Sequence, residues 1–232
     1  MHYHIITIFP EIFDSFLSCS LIAKAKEQGL LQFSFINPRN FCTDPQRQVD
    51  DAMYGGGAGL LMKAQPIIDA IKSILASQNM TTETWGLRKR KVLLPRPSQQ
   101  SFTQTTAHIL AEESTDIILI CGRYEGIDHR VDLRCQQLFG DDFMPISLGQ
   151  YVVMGGEVPS MLIVEAVSRL VPWVIKDADS RKNESYRPEL GGENIECPQY
   201  TRPETVEGMG VPDVLLGGNH ALIEQWRKEN GK

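Results

Sequence analysis

No apolar run in this chain reaches the roughly 18 residues that a helix needs to cross a bilayer, so no membrane partner is expected. The opening run, His2 to Phe9, has no basic leader and no small-residue cleavage site, which predicts no signal peptide. The five cysteines are Cys19, Cys42, Cys121, Cys135 and Cys197; they form no C-x-x-C pair, and their number is odd. That pattern argues against a disulfide framework or a zinc site and points to a reducing, cytoplasmic location. Cys121 ends an apolar run with no activating base near it in sequence, and it reads as a small buried residue rather than a nucleophile. Basic charge is not in surplus either. A net charge of −6 argues against a protein that coats nucleic acid non-specifically. It leaves room for an enzyme that grips RNA through a local basic surface. Arg88-Lys89-Arg90-Lys91 is either such a surface or a solvated turn before a strand.

The usual nucleotide signatures are missing as well. There is no G-x-x-x-x-G-K-S/T, which excludes a P-loop. No G-x-G-x-x-G follows the first strand, which argues against an ordinary dinucleotide-binding start. There is no H-E-x-x-H and no histidine cluster in the sequence, so no metal site is expected.

What the chain does have is two apolar runs that each stop at glycine. The first is Ile117 to Ile120, then Cys121-Gly122-Arg123-Tyr124-Glu125-Gly126-Ile127-Asp128. The second opens at Ile146 and continues Ser147-Leu148-Gly149-Gln150-Tyr151-Val152-Val153-Met154-Gly155-Gly156-Glu157-Val158-Pro159. Where side chains vanish, a flat ligand can approach bare backbone amides. In open α/β sheets such ligands sit beyond the carboxyl ends of the strands. The loops after Leu94, Cys121 and Ser147 are expected to meet there. Amides with Tyr124 and Tyr151 suit an adenine-like ring, and Glu125 suits a cationic group.

The periodicity predicts strands over His2 to Phe9, Leu31 to Ile36, Val92 to Leu94, Asp116 to Cys121 and Phe143 to Ser147. It predicts helices from Pro10 to Gly29, over Pro66 to Leu75, Thr103 to Glu113 and Val158 to Val171, the last with Leu162, Ile163, Ala166, Val167 and Leu170 inward. Asn37 to Leu61 reads as one long connection holding the glycine-dense Tyr54 to Gly59, a functional loop or a flexible hinge. Gln78 to Gly86 reads as a surface loop. Lys176 to Glu196 is a polar linker of mobile character, and three short helical patches follow near Pro203 to Glu207, Pro212 to Leu216 and Ala221 to Arg227. Alternating strands and helices imply an α/β fold with a mostly parallel sheet covered on both faces.

These motifs, in this order and spacing, resemble the tRNA (guanine-N1)-methyltransferase family, TrmD. The likeness runs nearly the whole length. It includes Tyr54-Gly55-Gly56-Gly57-Ala58-Gly59, Cys121 to Asp128, Ser147 to Pro159, and Cys197-Pro198-Gln199-Tyr200-Thr201-Arg202-Pro203-Glu204. The resemblance implies a mostly parallel α/β fold with a deep trefoil knot of the SPOUT type and a small C-terminal helical domain. Residues 1–172 would be the knotted catalytic domain, 173–197 a flexible linker and 198–232 a tRNA-contacting domain. It implies S-adenosylmethionine as cofactor, tRNA as substrate, methylation at N1 of the guanine 3′ of the anticodon, and a homodimer with sites at the subunit interface.

Carried over by position, the cofactor residues would be Leu94, Pro97, Gly122, Tyr124, Glu125, Gly126, Ser147, Leu148, Gly149, Gln150, Tyr151, Val152, Val153, Gly155 and Gly156. The catalytic pair would be Arg169 and Glu184, the latter standing where the family has aspartate before a serine and an aromatic residue, here Ser185 and Tyr186. The chain departs from the family at Arg96-Pro97-Ser98-Gln99, where an S-P-Q-G turn is usual, and at Ala58, Leu60 and Gln150. Two rival readings stand beside the enzyme: a catalytically silent cofactor- or RNA-binding homologue, and a nicotinamide oxidoreductase on an α/β sheet. The missing early fingerprint speaks against the second.

Overall fold

The opening strand β1 (His2–Ile6) sends Tyr3 and Ile5 to one side and Ile6 to the other, and all three are almost wholly buried. A strand buried on both faces needs neighbours and cover on both. The computed structural model, which describes residues 1–77, 89–176 and 184–231, supplies them. β1 pairs in parallel with β2 (Gln32–Ile36) and β6 (Asp116–Ile120). β6 pairs in parallel with β5 (Arg90–Pro95), and β5 with β7 (Phe143–Ile146), giving the order β2-β1-β6-β5-β7.

One face is covered by α1 (Asp14–Leu17), α2 (Ser20–Glu27), α4 (Gln104–Glu113) and α6 (Glu157–Ser168), through Leu17, Ile22, Leu110, Ile163 and Val167. The other is covered by α3 (Ala64–Ser77) and α5 (Arg130–Phe139), through Ile67, Ile71, Val131 and Phe139. Each fully buried aliphatic side chain among them contributes about 1.5–3 kcal/mol by leaving water. No helix among the described residues is long and apolar enough to cross a membrane.

Several expectations are corrected here. The Pro10–Gly29 segment is a 3₁₀ turn (Pro10–Phe13), then α1, then α2, broken at Ser18 and Cys19, with Ser20 at φ 52°. The connection from Asn37 to Leu61 contains a second 3₁₀ turn (Pro38–Phe41) and both strands of an antiparallel hairpin, β3 (Asp50–Ala52) and β4 (Leu60–Met62). α5 was not legible at all. It is a polar helix whose buried strip is Val131, Asp132, Cys135 and Phe139 only. Leu162, expected inward on α6, is half-exposed, as is Val158. Gln78–Gly86 lies outside the described residues.

The basic run is divided: Lys89 is exposed just before β5, whereas Arg90 and Lys91 lie in the strand. Arg88 lies outside the described residues. Arg90 is buried in β5 with Nε 4.0 Å from Asp116, and Lys91 Nζ donates to Asp142 at 2.8 Å. The fold also assembles a histidine cluster that spacing did not suggest. His2, His4 and Asp116 bring their ligand atoms within 4.8 Å of one another at the amino ends of β1 and β6. It sits beside the Arg90 cation, which competes for the Asp116 carboxylate.

The chain divides into two compact units, Met1–Lys176 and Asp177–Lys232. In the second, residues 184–196 form a hydrogen-bonded loop. The Tyr186 amide donates to the Asn194 carbonyl, the Arg187 amide to Asn194 Oδ1, and Asn194 Nδ2 to the Glu184 carbonyl, all at 2.7–2.8 Å. The patch near Pro203–Glu207 is not helical: β8 (Thr205–Val206) pairs with β9 (Met209–Gly210). Two helices follow, α7 (Asp213–Leu216) and α8 (His220–Asn230), the second capped by the Asn219 side chain accepting from two backbone amides.

Candidate cofactor site at the carboxyl ends of the strands

Strands β5, β6 and β7 all end at one edge of the sheet, so the loops that leave them share one place. They enclose a cavity of about 260 Å³. Its walls are Leu94 to Pro97, Gly122 to Ile127, Ser147 to Gly149, Tyr151 to Gly156, and Pro159. Fourteen of the fifteen cofactor positions expected from sequence line it: Leu94, Pro97, Gly122, Tyr124, Glu125, Gly126, Ser147, Leu148, Gly149, Tyr151, Val152, Val153, Gly155 and Gly156. Gln150, the fifteenth, is exposed and absent from the lining.

Two glycines explain why the loops can close so tightly. A Cβ at Gly156 would stand 2.8 Å from both Cys121 Cα and the Gly122 nitrogen, while its own amide donates to the Gly122 carbonyl at 2.8 Å. Backbone cannot yield there. We expect Gly156→Ala to destabilise the protein by about 1–3 kcal/mol, the usual cost of overpacking, and to abolish cofactor binding by calorimetry. A Cβ at Gly155 would overlap Arg123 at Nε, the atom that donates to Glu157, so Gly155→Ala presses on that ion pair instead. Equal melting temperatures for Gly156→Ala and the parent would refute this packing argument.

Gly59 serves a different contact. A Cβ there would overlap Glu125, so the glycine-dense 54–59 loop lies against the motif loop. Backbone bonds tie the two: Glu125 amide to Leu60 carbonyl at 3.0 Å, Met62 amide to Gly126 carbonyl at 2.9 Å. The loop's end thus packs on the motif loop, although none of residues 54–59 lines the cavity. Tyr124 takes φ 60°, a strained left-handed conformation for a bulky residue. Burial raises its phenol pKa, and Asp50 adds to the effect.

Arg123 and Glu157 carry a chemistry the sequence did not reveal. Glu157 opens α6 and is fully buried. Its Oε1 accepts from Thr7 Oγ1 and its Oε2 from Arg123 Nε, both at 2.8 Å. The guanidinium carbon of Arg123 also lies 4.9 Å from the centre of the Phe9 ring. This ties the end of β1 to both glycine loops. The acid placed directly after Gly155-Gly156 was the available signal.

Cys121 is buried, its Sγ 3.3 Å from Ser160 Oγ, and burial raises its thiol pKa far from any thiolate role. Arg169 does not line the cavity; it is the C-cap of α6, at the end remote from Gly156. Glu184 belongs to the second unit.

Parallel strands whose loops wall one cavity at their carboxyl ends define an α/β protein with a candidate ligand site there, the place where open α/β sheets bind their ligands. Comparison with known sequences narrows the class. The tRNA (Guanine-1)-methyltransferase TrmD family matches residues 1–232. A tRNA (guanine-N(1)-)-methyltransferase from Metamycoplasma arthritidis is 44% identical over 229 residues, covering 99% of this chain and 90% of the relative. Enzymes of the same name from Dictyoglomus turgidum and Clostridioides difficile are 42% and 39% identical, covering 97% and 99% of this chain and 82% and 91% of those relatives. The chain belongs to the TrmD family.

Proposed function

We propose that this protein transfers the methyl group of S-adenosylmethionine to N1 of guanine 37 in tRNA. The observation that carries the proposal is the cavity: loops from three adjacent strands, two of them glycine-rich, with no room for a Cβ at Gly155 or Gly156. That shape fits the cofactor. Bare amides and Tyr151 suit its adenine, Leu94, Pro97, Val152 and Val153 its apolar edges. When bound, the cofactor supplies an electrophilic methyl carbon on a sulfonium.

The chain's residues do the rest. Neutral guanine N1 has no free lone pair, so its proton must leave. Glu184 takes it as general base, a contribution typically worth about 10²–10⁴-fold. Charge then builds on guanine O6, where Arg169 stabilises it. Tyr186 offers a face on which the splayed base stacks.

Arg169 serves a second copy's site in this reading. Pro159 is the last α6 residue in the cavity wall, and Arg169 lies ten residues on, about 15 Å along the axis at 1.5 Å per residue. That is beyond the reach of an arginine side chain. Val152 and Met154 are about nine-tenths exposed, and Val158 and Leu162 are half-exposed beside them. An apolar surface of this kind supports a homodimer. We further assign a trefoil knot to the loops that wall the cavity, residues 1–172 to catalysis, 173–197 to a linker and 198–232 to tRNA contact. Action on tRNA supports a cytoplasmic location.

The test is labelled methyl transfer from S-adenosylmethionine to an unmodified tRNA transcript, followed by mass mapping. Label at N1 of guanine 37, lost when that guanine is replaced by adenine, supports the reading. Cofactor binding without transfer would favour the silent homologue. Arg169→Ala is expected to lower kcat about 10²- to 10³-fold and to leave cofactor affinity by calorimetry unchanged; a large loss of affinity would contradict its role.

A further inference from the structure

One wall of the cavity carries a cation that no role above uses. Arg96 follows β5, flanked by Pro95 and Pro97, and its amide donates to the Ile146 carbonyl at 2.9 Å. Two prolines with fixed φ hold the backbone here. The side chain is then held from the other side. Arg96 Nη2 lies 2.5 Å from Asp132 Oδ1. Asp132, in the first turn of α5, has a side chain only 7% exposed. No group other than Arg96 among the described residues holds its oxygens by a hydrogen bond, and the His129 ring nitrogen lies 3.6 Å from Oδ2. A buried carboxylate of this kind demands a cation and keeps it in place.

Arg96 itself stays 37% exposed and lines the cavity. A guanidinium carries five N–H donors in one plane, and a single ion pair to Asp132 cannot occupy them all. The other two charged side chains of the lining differ from it. Arg123 is committed to Glu157 and Phe9, and Glu125 is an acid. The cofactor of the reading above ends in an α-amino acid. Its carboxylate suits a planar donor fork, the geometry in which arginine is strongest.

We propose that Arg96 binds the carboxylate of the cofactor's amino-acid tail and that Asp132 is the residue positioning it. The proposal rests on the cofactor reading, and its test separates the two. Calorimetry would measure the binding of S-adenosylhomocysteine, which has the amino-acid tail, and of 5′-methylthioadenosine, which lacks it. Arg96→Ser is expected to weaken S-adenosylhomocysteine roughly 10- to 100-fold, the worth of a charged hydrogen bond. It should leave 5′-methylthioadenosine within about threefold of the parent, again by that scale. Arg96→Lys should recover part of the loss, because a point charge replaces the fork. Asp132→Asn should weaken S-adenosylhomocysteine alone, and less. Equal losses for both ligands, or no loss for either, would overturn the assignment. Failure of the parent protein to bind either ligand would instead overturn the cofactor reading itself.

Discussion

Methyl transfer by the Glu184→Gln protein is expected to fall about 10²- to 10⁴-fold. The amide keeps the size of the side chain and removes its negative charge, and with it its ability to take a proton. Cofactor affinity should therefore stay within about threefold, since binding and chemistry are separable. Single-turnover kinetics on a tRNA transcript measures the first quantity, and calorimetry the second. The Glu184 carbonyl already accepts from Asn194, a backbone contact the substitution leaves alone. Loss of fold is thus a poor alternative explanation for loss of rate. Transfer within a few-fold of the parent would remove Glu184 from the mechanism.

Glu157→Ala is expected to cost about 3–5 kcal/mol of stability, the usual consequence of removing one partner from a buried ion pair. Against a typical margin of about 5–15 kcal/mol for a whole domain, that is a large fraction. The loss has two parts. Thr7 Oγ1 forfeits its acceptor, and Arg123 is left charged beside Phe9 with nothing opposite it. Released from Glu157, the Arg123 side chain also sits where Gly155 gives it room, so cofactor affinity should fall as well. Urea denaturation gives the stability change directly. Glu157→Gln retains an acceptor and should lose less. A midpoint for Glu157→Ala within error of the parent would show that the pair is not structural.

Much of the sheet was legible because its strands are chemically unambiguous. Asp116–Ile120 is β-branched and apolar, and it is buried along its whole length. The glycine loops were legible for a related reason: a backbone that must approach another backbone tolerates no Cβ. Other features were hidden where the deciding contact is distant in sequence. α5 buries only a narrow strip, and one member of it, Asp132, finds its partner in Arg96, 36 residues away. Arg90 looks like part of a basic patch until Asp116 is placed beside it. The approach of Gly59 to Glu125 joins loops more than sixty residues apart. Leu162 has a core residue's chemistry, and its exposure became visible only once α6 was laid on the sheet. Periodicity reports which residues can be buried, and it is silent about which charges find one another.

The central position of β1 has a consequence for how the chain matures. Its five residues pair with 32–36 on one side and 116–120 on the other. The Tyr3 hydroxyl lies 2.9 Å from Ser168 Oγ, and Thr7 donates to Glu157. In folding, β1 therefore stays half-paired until a strand more than a hundred residues further along the chain joins it. Such long-range closure slows folding and leaves sticky edges uncovered meanwhile. Until then the free edge of β1 is open to pairing with another chain, so slow closure favours association.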